Sequence, residues 1–166
     1  MVTFRNRSSI FKTFVAFIII CLVSTLIYLL YCLHSSYSFI DLLQIENKSK
    51  ITNCSVTIGY YGTESDGIPI PLDSDLFNQL FETLQSEEYK KPLSTILGKK
   101  VTAFHIGLDP FYRILLVHED RRCTEIIING DFLLIGSSPE SKLKVYQIVG
   151  GGLSRKMNTL GVFEAG

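Results

Sequence analysis

The chain has 166 residues, with 16 basic and 16 acidic side chains that cancel at neutral pH. That balance supplies no field to steer nucleic acid or an acidic substrate toward the protein. The mean hydropathy of +0.26 is inflated by one stretch near the N-terminus, and what remains is long enough for one folded core and too short for two.

Residues 1–12 carry Arg5, Arg7 and Lys12 and no acid, and Phe14 to Leu33 then run for twenty residues without a charge. Twenty is about what a helix needs to cross a ~30 Å hydrocarbon core. The pattern predicts a transmembrane helix over 13–34, with the bilayer contacting residues 14–33. Basic residues precede the span and none lies just beyond it, so the expected topology is single-pass in the cell membrane, N-terminus cytoplasmic and the rest outside. The run exceeds the roughly 7–15 apolar residues of a cleaved signal peptide, which favours an anchor. Tyr28 and Tyr31 fall where rings sit among headgroups.

Residues 35–52 read as a stalk, polar at both ends around Phe39, Ile40, Leu42, Leu43 and Ile45. Asn47 and Asn53 each begin an N-glycosylation acceptor triplet. From residue 53 to 166 the pattern is that of one extracytoplasmic α+β domain. Cys54 to Tyr61 alternates apolar and small polar residues as a half-buried strand does. Asp73 caps an amphipathic helix whose stripe is Leu76, Phe77, Leu80, Phe81 and Leu84, stopped at Lys90-Lys91-Pro92. Strands are predicted around Phe104–Leu108, Tyr112–His118, Cys123–Ile128, Phe132–Ile135 and Leu143–Val149, with a hairpin turn at Asn129-Gly130. A short helix over Leu153–Leu160 ends the pattern. Short connections make the sheet a small antiparallel β-meander, covered by the one amphipathic helix.

His105, His118, Glu119, Asp120, Cys123 and Glu125 form the one cluster of reactive types, and His118 and Cys123 flank a predicted turn where they could face each other. Their spacing matches neither a zinc pattern nor a cysteine-hydrolase signature, so no catalytic residue, metal or cofactor is assigned. Cys54 and Cys123 are a candidate disulfide, worth roughly 4 kcal/mol in the chain-entropy model. Gly150-Gly151-Gly152 ahead of Ser154, Arg155 and Lys156 resembles an anion nest but lacks the spacing of either phosphate-binding loop. Ser141-x-x-Lys144 has none of the partner motifs of penicillin-recognising enzymes. Tyr60, Tyr61, Phe111 and Tyr112, near strand ends, are the candidate binding residues, since such rings anchor interfaces. The expected function is a non-enzymatic binding or accessory module whose partner is another membrane or envelope protein. A small thiol- or metal-dependent enzyme, or a small-ligand sensor, is the alternative.

Overall fold

The computed structural model describes residues 4–44, 50–60, 63–96, 110–137 and 143–160. It divides into two compact units, Met1–Ser35 and Ser36–Gly166.

The first unit is helix α1, Phe4–His34. Its segment Phe11–His34 has 24 residues and a mean hydropathy of 2.7, long and apolar enough to cross a membrane. The threonine at its middle does not break the ladder. Thr25 Oγ1 donates to the Cys21 carbonyl at 2.8 Å, so that group is satisfied inside the helix.

The second unit mixes short helices with one large sheet. Its elements in chain order are β1 Ser36–Tyr37, α2 Phe39–Leu43, β2 Ile51–Tyr60, β3 Thr63–Glu64, β4 Ile68–Pro69, α3 Asp75–Gln85, β5 Glu88–Lys90, α4 Leu93–Ile96, β6 Phe111–His118, β7 Cys123–Asn129, β8 Phe132–Ser137, β9 Lys144–Val149 and α5 Leu153–Thr159. Among the described residues the sheet has nine strands in the order β1-β5-β9-β8-β7-β6-β2-β3, with β4 also pairing β2. Every pairing is antiparallel. The predicted meander is β6 to β9, and the strand expected around Phe104–Leu108 lies outside the described residues.

The stalk expectation is corrected. Ser36 pairs with Lys90 and Tyr37 with Tyr89, so the chain just after α1 forms an edge of the sheet. Ser38 caps α2 through a reciprocal bond with Asp41, and Phe39 and Leu43 are buried. Phe39 and Leu43, read as part of the stalk, are therefore core, because burying two large side chains against the sheet removes more apolar surface from water than an extended spacer would.

The single covering helix is also corrected. Phe77, Leu80, Phe81 and Leu84 of α3 do pack on the sheet, but Phe39 and Leu43 of α2 and Leu153 and Met157 of α5 join the same core. Three short helices share one face. The cap of α3 is Ser74 rather than Asp73, its Oγ accepting from the Phe77 amide at 3.2 Å. The helix stops at Gln85, ahead of the Lys-Lys-Pro stop, because Tyr89 folds back. Its hydroxyl donates to the Leu84 carbonyl at 2.7 Å, filling one of the acceptors a helix end leaves open. At the β7–β8 hairpin the loop is Gly130–Asp131, since Asn129 pairs with Phe132. Only Gly130 there takes a positive φ, of 55°, so the turn needs one glycine rather than an Asn-Gly pair.

Candidate binding face

Strand alternation sorts the sheet into two faces. One carries Val56, Ile58, Tyr112, Ile114, Leu116, Ile126, Ile128, Leu133, Ile135, Tyr146 and Ile148, all buried under α2, α3 and α5. The other is crossed by rows fixed by the register. Thr57 faces Arg113, Arg113 faces Ile127, Ile127 faces Leu134 and Leu134 faces Val145. Beside this row Leu115 pairs with Glu125, and on its other side Asn129 pairs with Phe132. No described helix of this unit contributes to the core on this side.

This face is apolar, exposed toward its margins and buried at its middle. Leu115 is 37% exposed and Phe132 39%, while Leu134 is 3% exposed. Ile127 and Val145 are half-buried beside it. Near the middle, Arg113 Nε lies 3.0 Å from Glu125 Oε1. At the β5 margin Lys90 Nζ is 3.8 Å from Glu88 Oε1. The charges thus come as neighbouring opposite pairs within an apolar field.

The aromatic residues expected to bind divide differently. Tyr112 is completely buried on the covered face and its hydroxyl donates to Asn158 Oδ1. It is a core residue, which corrects the binding expectation. Phe111 is half-buried on the open face. Its ring fills the space above Gly59, where a Cβ would come within 1.9 Å of it. The glycine leaves a gap opposite its strand partner, and the ring closes it. Tyr61 and the side chain of Tyr60 lie outside the described residues.

The disulfide expectation is corrected as well, since all four cysteines are free. Cys54 pairs with Leu116 on β6, and Cys123 pairs with Val117 across the other edge of that strand. Two strand spacings, roughly 10 Å, separate them, and they point to opposite faces. Burial pushes the Cys54 thiol up to about 12, which keeps it protonated.

The same alternation parts His118 from Cys123. His118 is 3% exposed on the covered face and its amide bonds the Arg122 carbonyl, whereas Cys123 sits on the open face. Instead of a thiol, His118 Nε2 meets Thr124 Oγ1 at 2.7 Å. Burial, then the Arg122 guanidinium, lowers its pKa and favours the neutral ring. Asp120 accepts from the Arg122 amide and from its Nε at 2.6 Å, and these bonds hold its carboxyl below the usual range. The loop is a charged turn that closes on itself. A cleft of about 250 Å3 beside it is lined by Leu42, Leu43, Arg122, Thr124 and Lys144. Among the described residues, no group of three or more His, Cys, Asp or Glu could hold a metal ion.

Gly150, Gly151 and Gly152 take φ values of 89°, 65° and 83°. An anion nest needs amides turned to one side by alternating hands, and three successive left-handed residues do not provide that. These glycines instead turn the chain from β9 into α5, and their positive φ is what excludes other residues there.

The open face was missed by reading strands as half-buried, although a signal for it exists. Ile114 to Val117, Ile126 to Ile128 and Phe132 to Ile135 are unbroken apolar runs. Such runs place apolar residues on both faces of a strand.

No protein-family model, no curated protein and no solved structure matches this chain.

Proposed function

We propose that this protein is a single-pass membrane protein whose second unit is a binding module, acting through the open face of its sheet. The observation that carries the reading is that face. Leu115 and Phe132 are exposed beside half-buried Ile127 and Val145, and among the described residues no helix of the unit packs core residues on that side, while the opposite face of the strands is buried under α2, α3 and α5. Apolar surface left contiguous on a folded unit marks an interaction site. The helix Phe11–His34 supports the anchoring half of the reading by its length and hydropathy, with the basic residues before it setting the N-terminus inside. A tethered module can work with a modest interface, because confinement in one membrane raises the effective concentration of its partner.

Crosslinking of the tagged full-length chain in its native membrane should recover a membrane or envelope protein repeatedly. Ile127→Lys and Leu115→Lys should abolish recovery while the melting temperature in mild detergent changes little. Recovery that survives both substitutions would sink the role of this face. Extraction of the chain by alkaline carbonate wash would sink the anchor.

A further inference from the structure

We propose that the cleft between α2 and the adjoining ends of β7, β8 and β9 is a binding site for a small aliphatic carboxylate. It lies on the covered side of the sheet, so the inference stands apart from the open face and from the anchor. The register places it there. Ile126 pairs with Ile135 and Ile135 with Lys144, and Thr124 lies two residues before Ile126. Thr124, Ile135 and Lys144 therefore share one side of the sheet. Leu42 and Leu43 of α2 and Arg122 complete the lining of a cleft of about 250 Å3.

The polar groups of this lining offer protons and positive charge. His118 fixes the direction of the first one. The ring is 3% exposed, its Nε2 meets Thr124 Oγ1 at 2.7 Å, and its Nδ1 is buried without a partner. A buried N–H left without an acceptor costs more than a buried lone pair, which puts the ring proton on Nε2, donating to Thr124. The Thr124 hydroxyl then has its own hydrogen to give, and the residue is 8% exposed with no other bond. Arg122 holds Asp120 through Nε, which leaves the other nitrogens of its guanidinium to donate. Lys144 is exposed and, among the described residues, takes no ion pair. Since Asp120 balances Arg122, Lys144 supplies the net charge. Arg122 and Lys144 stand at strands two spacings apart, roughly 10 Å, and both side chains are long enough to meet on one small group between them. No carboxylate lines the cleft among the described residues. Donors without an acid of their own select an anion.

The remainder of the lining sets the body of the ligand. Leu43 and Ile135 are buried, and Leu42 is half-buried beside them. An apolar tail fits against these residues, and it keeps the charge away from the last turn of α2, whose open carbonyls repel an anion. A cleft of this volume falls below the roughly 300–1,000 Å3 of ordinary ligand pockets, so the tail is short.

The test is calorimetric titration of the full-length chain in mild detergent with acetate, butyrate, hexanoate, hexylamine and inorganic phosphate, against empty micelles. Affinity should rise from acetate to hexanoate by roughly fivefold or more per two carbons. Hexylamine, with the same tail and the opposite charge, should not bind, and phosphate should bind more weakly than hexanoate. Lys144→Gln and Thr124→Val should each weaken hexanoate by about tenfold or more, while Lys90→Gln, a lysine at another margin of the sheet, should leave it unchanged. Lys144 is exposed, so its variant keeps the fold and its melting temperature in the absence of ligand. Equal binding of hexanoate and hexylamine, phosphate binding as tightly as hexanoate, indifference to Lys144→Gln, or no heat from any acid at millimolar concentration overturns the inference.

Discussion

Two neighbouring residues show how the two faces of this sheet differ. Ile126 and Ile127 follow one another on β7 and have the same side chain, yet Ile126 is fully buried under the helices and Ile127 is half-buried on the open side. Similar pairs occur at Ile114 and Leu115 on β6. The strands carry apolar residues on both sides, and among the described residues helices pack on only one of them. What separates core from surface here is the supply of cover, set by three short helices that can mask one face of a large sheet. Apolar strands in excess of that cover are what an interface is made from.

The comparison can be broken or sharpened in four ways. The largest contrast should be in thiol reactivity. In a chain with Cys21 and Cys32 replaced by serine, Cys54 with its thiol near 12 should be alkylated roughly a thousandfold more slowly than an ordinary thiol, until the protein unfolds. Half-exposed Cys123 should label in the native state, and equal labelling of the two would erase the distinction between faces.

Core truncation comes next. Ile126→Ala should cost about 2–5 kcal/mol in denaturant unfolding. Ile127→Ala should cost about 1 kcal/mol or less in the monomer, and a reversed order would show that the open face is the true core.

Acid should act on the covered side. Burial lowers the pKa of His118 below its unfolded value near 6.5. The unfolded chain then binds the proton more readily, so the stability from this ring is complete above about pH 6.5 and is lost as pH falls through the lowered value. The melting temperature should drop between pH 7.5 and 5.5, and His118→Gln should flatten that drop. An unchanged slope in the variant would remove His118 from the account.

The smallest effect is expected from the open-face ion pair. A double-mutant cycle on Arg113 and Glu125 should give a coupling of about 0.2–1 kcal/mol, shrinking as salt is added.

Much of the chain could be read from residue order. The long apolar helix, the stripe of α3, the meander from β6 to β9 and the terminal helix follow from local periodicity, which needs no knowledge of neighbours. What escaped depended on long-range pairing. Ser36–Tyr37 joins the sheet by pairing with β5, and β5 is itself held by pairing with β9, about sixty residues away in the chain. The pairing of β2 with β6 likewise decides that Cys54 and Cys123 point apart. For the site, the unbroken isoleucines of β7 held the signal. Proximity in sequence suggested His118 with Cys123 instead, and the period of two in a strand forbids that pair.

The margins of the sheet have a consequence for how copies can assemble. At one end β1 has two residues, and at the other β3 has two. The side of β2 facing away from β6 is occupied from Cys54 to Tyr60, with Ser65 Oγ accepting from the Ile58 amide at 3.0 Å and the Ile70 amide donating to the Cys54 carbonyl at 2.9 Å. A long bare edge would template one added strand after another, and growth by that route has no natural end. Blunt edges shut it off. A molecule with such edges is steered away from growth into fibres by strand addition.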